Sequence, residues 1–219
     1  MLTRSTFAFF RDLADNNSRE WFEANKTRYE RDARKPMLAL VEALIERIRV
    51  FEPTLHQTAK EAMFRINRDI RFSKDKSPYK TQLGAAICVA GKKAMGYPGF
   101  YIEVGANGVW VGGGSYMPNK EELATIRDVI ADQGDALQAI LADPAFVKAF
   151  GDLRGERNKI VPAEYRDVVT TYPLIANKQF YYMASVPENV VVGANAVEAI
   201  MEYYLAARPL QMFLLQAFA

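Results

Sequence analysis

The sequence predicts an α+β fold: a mostly antiparallel sheet of about four or five strands, packed by N- and C-terminal helices. Three observations carry this. Both ends of the chain repeat apolar residues at helical spacing, the middle alternates or runs apolar between glycines, and Gly105-Ala106-Asn107-Gly108 separates two strand-like runs. At 219 residues, and with no linker or repeat, the chain is read as one domain spanning 1–219.

In chain order, Phe7, Phe10, Leu13 and Ala14 recur at helical spacing. Asn17 followed by Glu20 is a capping-box pattern that opens a helix carrying Trp21, Phe22 and Tyr29. Pro36 suits the first turn of the next helix, where its missing N–H costs nothing. Met37, Leu40, Val41, Leu44, Ile45 and Ile48 form the stripe of that helix, which Pro53 stops. Phe64, Ile66, Ile70 and Phe72 alternate with polar residues, as on a half-buried strand. The apolar run 83–90 reads as a central strand, 91–99 as a loop, and 99–104 with 108–112 as a hairpin. After Gly112-Gly113-Gly114 helical spacing returns: Asn119 caps a helix with Glu122 at the box position, and Leu123, Ile126, Ile130 and Leu137 form its face. A short helix starts at Pro144, 181–186 is a late strand, and 194–207 is a final amphipathic helix ended near Pro209.

Composition excludes several classes. Half the residues are hydrophobic and a quarter charged, the balance of a globular chain. Cys88 is the only cysteine, so an intrachain disulfide is impossible and a thiolate metal cluster has no ligands. Set among Ile87 and Val89, it reads as core. Its isolation agrees with a reducing compartment, and the expected location is cytoplasmic. His56 is the only histidine and reads as a surface or capping residue. No H-E-x-x-H, two-His or C-x-x-C pattern occurs, so no metal is assigned. A carboxylate-held magnesium would need Asp69, Asp75 and Glu103 to converge. No motif identifies a cofactor. Arg4, Arg11 and Asp12 interrupt the N-terminus before an apolar core of signal-peptide length develops. The most apolar stretch, 210–219, is about half a bilayer span. It reads as a terminal helix docked on the core or at a contact between subunits, so no membrane partner is expected and a homo-oligomer would form there.

Net charge is +2, but its distribution is uneven. From Lys60 to Lys80 there are seven basic residues against three acids, so that window carries +4 and the rest of the chain −2. Read as a strand, the run 65–80 puts Phe64, Ile66, Ile70 and Phe72 on one face with Arg68 among them, and Arg65, Asn67, Asp69 and Arg71 on the other. Asp69 can then fix one guanidinium while the free forks accept phosphate or carboxylate bidentately. Residues 73–80 read as a loop in which Pro78 sets the turn and Tyr79 is an anchor or donor. A salt-bridged, solvated edge strand is the competing reading.

The triglycine precedes a helix start at Asn119, where bare N–H groups suit an anion, so Gly113, Gly114 and Ser115 are candidate ligand contacts. The spacing matches neither G-x-G-x-x-G nor G-x-x-x-x-G-K-[ST], and glycines that permit close strand packing explain it as well. For nucleic acid, basic residues interleaved with Phe64, Phe72 and Tyr79 suit stacking plus phosphate contact. Against this, the two phenylalanines share the apolar face and the overall charge is low.

The segment Arg65-x-x-Arg68-Asp69-x-Arg71-Phe72-x-x-Asp75-Lys76-x-x-Tyr79 resembles the signature of the bacterial family called domain of unknown function 2461. Asn16-Asn17-x-Arg19-Glu20-Trp21-Phe22, Gly112-Gly113-Gly114 with Pro118, and Asp143-Pro144-x-Phe146 resemble it too, so the likeness runs from Phe7 to about Met183. It implies a single conserved bacterial domain of this size and brings no activity with it. The chain departs from the pattern at Pro162-Ala163-Glu164-Tyr165 and Tyr172-Pro173, where the family has Pro-x-Gly-Tyr leading to His-Pro.

The sequence therefore points to a protein binding an anionic small molecule, phosphorylated ligands among the candidates, through Arg65, Arg68, Arg71, Lys74, Asp75, Lys76 and Lys80. If it is an enzyme, Asp69 is the candidate base and Tyr79 the candidate proton donor. A non-catalytic module docking an acidic partner through the same run is the alternative, and nucleic-acid binding ranks third. On this reading a stabilising anion loses its effect in Arg68→Ala.

Overall fold

The computed structural model describes residues 1–219. Its elements in chain order are α1 (Arg4–Asp15), α2 (Arg19–Ala24), α3 (Lys26–Arg28), a π-helical segment (Tyr29–Arg34), α4 (Lys35–Arg49), α5 (Ala59–Ala62), β1 (Gln82–Ile87), β2 (Gly99–Gly105) and β3 (Gly108–Ser115). There follow α6 (Lys120–Leu141), α7 (Pro144–Phe150), β4 (Phe180–Val186), α8 (Glu188–Val191) and α9 (Ala196–Leu215). The strands form one antiparallel sheet in the order β1-β2-β3-β4, so the fold is α+β. The β2–β3 hairpin turns at Ala106-Asn107 without a positive φ at either residue; Gly108, at φ 95°, absorbs the left-handed step instead.

Several elements differ from the sequence expectation for identifiable reasons. The run 64–72 is not a strand. Its alternation of burial holds as far as Ile70, but Phe72 is 95% exposed. Only two isolated bridges remain, Met63 with Ala85 and Asn67 with Tyr79. β1 lies at the end of the strand order, not its centre; its apolar run is explained by the Met63 bridge and by the Phe64 N–H, which donates to the Gly84 carbonyl (2.9 Å). Ser18, not Asn17, caps α2, accepting the Trp21 N–H at 3.2 Å. Pro36 lies in the first turn of α4, as expected, but that helix does not start afresh there. α3, the π segment and α4 run on continuously, and the Lys35 N–H reaches back five residues to the Glu30 carbonyl. A regular α-turn would drive the Pro36 ring into the carbonyl of Asp32; the widened turn just before it relieves that clash. Pro209 likewise lies inside α9, which continues to Leu215.

The chain packs as two compact units. The first comprises Met1–Lys92, Tyr101–Val111 and Ser185–Met201. Its core joins Phe7, Phe9, Phe10 and Leu13 of α1 to the apolar stripe of α4, all buried. Rings link this core in series: Phe10 to Phe9 (5.5 Å between centroids), Phe9 to Tyr29 (5.7 Å), Tyr29 to Phe22 (5.1 Å), and Phe22 stacked on Tyr79 (4.0 Å, 17°). Buried contacts of this kind add about 0.5–1.5 kcal/mol per aromatic pair beyond area burial.

The second unit comprises Lys93–Phe100, Gly112–Ala184 and Glu202–Ala219. α6 opens with the expected Asn119/Glu122 capping box and bends at Gln133. The ring of Tyr172 lies where Gly134 would carry a Cβ, and the Tyr172 hydroxyl donates to Asp135 (3.1 Å). Tyr165 donates to Asp128 (2.6 Å). The two tyrosines at the departure from the family pattern thus fasten residues 165–172 to α6. Arg127, 6% exposed, has no carboxylate partner; its guanidinium donates to the carbonyls of Ile175 (2.9 Å) and Asn177 (3.3 Å). The apolar C-terminal residues Leu210, Phe213 and Leu214 are buried within the chain, leaving Met212 half exposed. No helix is long and apolar enough to cross a membrane.

Candidate functional site

A cleft of about 460 Å³ opens in the first unit, lined by Phe22, Glu23, Lys26, Tyr29, Glu30, Arg34, Leu38, Lys60, Met63, Phe64, Arg65, Ile66, Asn67, Tyr79 and Lys92. Its size falls in the range of small-molecule sites. One wall is the π segment. Because a π turn holds more residues than an α-turn, Tyr29 and Arg34, five apart, come onto one side together with Glu30, which pairs with Arg34 at 3.0 Å. The opposite wall is the short extended stretch 63–67.

Two segments of the family-like pattern meet at this cleft. Around the Asn67–Tyr79 bridge, the Lys80 N–H donates to the Ile66 carbonyl (2.8 Å) and the Arg68 N–H to the Pro78 carbonyl (2.9 Å). Tyr79's own N–H and carbonyl therefore point the other way, and Asn17 takes both. The Tyr79 N–H donates to Asn17 Oδ1 (3.2 Å), and Asn17 Nδ2 donates to the Tyr79 carbonyl (3.0 Å). The side-chain amide acts as one rung of a neighbouring strand. With Phe22 stacked on the Tyr79 ring, residues 17–22 fix the floor of the cleft.

The cleft carries five cationic side chains against two carboxylates. Lys26 is paired with Glu23 (3.3 Å) and Arg34 with Glu30. The Lys92 ammonium donates to the Met63 carbonyl (2.5 Å) and lies 5.8 Å from the Phe64 ring centre. Lys60 and Arg65 are exposed, and neither has a carboxylate partner. Beside them Lys80 stands 5.6 Å from the same Phe64 ring, half-buried; burial first, and the nearby Arg65 second, hold its ammonium pKa below the ordinary lysine value. Asp69 lies within electrostatic reach of Arg65 and Glu103 of Lys80, but no carboxylate pairs directly with Arg65, Lys60 or Lys80, and an anion there would be favoured. Tyr29 and Tyr79 are 7% and 6% exposed, and neither hydroxyl has a hydrogen-bond partner in the chain. Burial pushes the Tyr29 pKa up to about 12, so the hydroxyl stays neutral.

Of the sequence-predicted residues, Arg65 and Tyr79 line the cleft and Lys80 adjoins it. The others form a loop, 69–77, that closes on itself. Asp69 accepts Arg71 Nε (2.9 Å) and Nη2 (2.6 Å), and Arg68 pairs with Asp75. Asp75 also accepts the Ser77 N–H (2.9 Å) and hydroxyl (2.6 Å), and Lys76 donates to the Ile70 carbonyl (2.9 Å). The Ser77 bonds and Arg68 hold the Asp75 carboxyl well below the usual carboxylate range, and Arg71 lowers Asp69. Arg68, which looked anomalous on an apolar face, is an ion-pair partner in a loop. Asp69, tied to Arg71 and pushed further from neutrality, is poorly suited to act as a base. Lys74 and Phe72 project outward, with the Arg71 guanidinium 5.8 Å from the Phe72 ring. Phe72 is therefore not buried with Phe64, and the two do not form an aromatic platform for bases.

Asp69, Asp75 and Glu103 do not converge as a magnesium site would require: Glu103 accepts the Tyr101 hydroxyl (2.7 Å), and no group of three potential metal ligands exists. His56 is exposed, and Cys88 is buried with its thiol pKa raised by desolvation. Gly113, Gly114 and Ser115 belong to β3. A Cβ on Gly113 would overlap the Gly99 carbonyl, and one on Gly114 (φ 94°) the Phe180 carbonyl, so these glycines let strands approach closely. Ser115 is fully buried, and Asn119 already accepts the N–H groups of Glu121 (2.9 Å) and Glu122 (3.0 Å). The triglycine is a packing device, and the helix start behind it has little left to offer an anion.

Sequence reasoning missed Tyr29, Glu30, Arg34 and Lys92. A π turn has no simple residue signature; Pro36, seven residues after Tyr29, was its one visible cause. A family model described as conserved hypothetical protein (DUF2461) matches residues 5–213. No curated protein and no solved structure matches the chain.

Proposed function

Since the chain belongs to the conserved hypothetical family DUF2461, whose description names no activity, we propose its function from the cleft: it is a cytoplasmic protein that binds an anionic, phosphorylated small molecule there. The observation that carries this reading is the pair Lys60 and Arg65, cations on the cleft wall with no carboxylate partner. Arg65 offers a planar fork to a phosphate, and Lys60, Lys80 and Lys92 add point charges. Phosphate would restore the balance that protein carboxylates supply to Arg34 and Lys26.

Thermal-shift titration with orthophosphate and a library of phosphorylated metabolites tests it. A saturable rise is expected, amounting to about 2.7 kcal/mol of added stability at a hundred times Kd. A broad library with no saturable shift sinks the proposal.

A second reading draws on Phe72, an aromatic ring 95% exposed at the tip of a loop whose ionised groups are mostly satisfied internally. Such a loop loses little entropy on binding, and an aromatic anchor beside Lys74 and Lys76 suits an apolar pocket with an acidic rim. A photo-cross-linking residue at position 72 is expected to give one discrete protein adduct in cells, lost when Lys74 and Lys76 become Glu. No adduct, or adducts indifferent to those charges, contradicts this reading.

A further inference from the structure

We infer that the cleft's ligand class is a phosphorylated sugar or polyol, and neither a nucleotide nor a dicarboxylate; this rests on the anion-binding reading above.

A nucleotide base binds best to an open ring face, where stacking is worth about 1–3 kcal/mol per base. This cleft offers none. Phe22 and Tyr79 stack on each other at 4.0 Å and 17°, and Tyr29 packs against Phe22 at 5.1 Å. These three rings are only 6–7% exposed. Phe64, the remaining ring, is approached by two ammonium groups, Lys80 at 5.6 Å and Lys92 at 5.8 Å from its centre. Cations already occupy the surroundings a base would need.

What the cleft does offer, besides cations, is hydrogen-bonding capacity for hydroxyl groups. Tyr29 and Tyr79 line the cleft, and each brings a hydroxyl that bonds to no other group of the chain. Facing the cleft, these two hydroxyls are open to bonding by a ligand. Each phenol can donate to one oxygen and accept from another, which matches a sugar hydroxyl in either sense. The Asn67 side chain adds a donor and an acceptor. Glu23 and Glu30 complete the set: one bond each to Lys26 and Arg34 leaves acceptor sites free. A carboxylate accepts a hydroxyl hydrogen readily but repels a second carboxylate, which disfavours a dicarboxylate whose far end would lie near them. The cleft is therefore divided chemically. Arg65, Lys60 and the lysines near Phe64 suit the phosphate, whereas the tyrosines and glutamates suit a neutral body rich in hydroxyls.

Calorimetric titration of the full chain with orthophosphate, glucose 6-phosphate, glucose, AMP and succinate tests the class. Glucose 6-phosphate is expected to bind at least about tenfold more tightly than orthophosphate, with glucose and succinate silent and AMP no tighter than orthophosphate, since each good hydrogen bond adds roughly 1 kcal/mol. Tyr29→Phe and Tyr79→Phe remove only the unpartnered oxygens. Each is expected to lower glucose 6-phosphate affinity about fivefold and leave orthophosphate affinity unchanged. Equal affinity for orthophosphate and glucose 6-phosphate overturns the sugar class and leaves anion binding standing. AMP binding more tightly than glucose 6-phosphate overturns it in favour of a nucleotide. Absence of any phosphate binding overturns the anion reading itself.

Discussion

Arg65→Ala is expected to weaken phosphate binding about 10- to 100-fold, the loss of one or two charge-assisted hydrogen bonds, while leaving the melting temperature of the unliganded protein unchanged. Stability is spared because Arg65 is exposed and forms no ion pair with the chain. Arg68→Ala should behave in the opposite way. It removes the partner of Asp75 and loosens the 69–77 loop, yet Arg68 is not among the residues lining the cleft, so phosphate affinity should fall less than about twofold. This reverses the expectation drawn from the sequence, in which Arg68 was the decisive residue. Orthophosphate titration of both variants by calorimetry, with a melting curve for each, separates the two. Equal losses of affinity would mean that the ligand sits on the loop.

Asn17→Ala should have the largest effect on stability among substitutions near the site, about 2–4 kcal/mol by chemical denaturation. The deleted amide serves the N–H and the carbonyl of Tyr79, a residue 6% exposed, and alanine leaves both backbone groups without a partner. Asn17→Asp keeps an acceptor for the Tyr79 N–H but sets a carboxylate against the Tyr79 carbonyl, so it should recover only part of the loss. Because Tyr79 forms the floor of the cleft, both variants should also bind phosphate less tightly. A denaturation midpoint unchanged in Asn17→Ala would show that the amide is not a structural rung.

These two sites also mark what the sequence discloses. Helical spacing in 37–48, the Asn119/Glu122 box, the Pro144 helix start and the hairpin at 105–108 were all legible, because each depends on local periodicity or turn chemistry. The importance of 65–80 as a charged run was legible too, but its geometry was not. Period-two alternation through Ile70 continues by coincidence to Phe72, while Asp69, Asp75 and Ser77 direct the backbone into a loop through side-chain bonds two residues away. Asn17 looked like a helix cap because its local context fits one; its real partner lies 62 residues along the chain. The triglycine was ambiguous because a phosphate cradle and a close strand contact place the same demand on the backbone. The π turn at 29–34 was invisible for a different reason: it responds to Pro36 through main-chain geometry, and the side chains it brings to the cleft carry no pattern of their own.

The proposed anion site lies in the cleft, against Arg65, and not on the 69–77 loop. Titrating an isotope-labelled chain with orthophosphate, while following backbone amide and arginine Nε resonances, tests it most directly. Saturable shifts are predicted for Arg65, Phe64, Tyr79 and Lys92, with residues 71–76 unmoved. Shifts concentrated on Arg68, Arg71 and Lys74, with Arg65 silent, would contradict it.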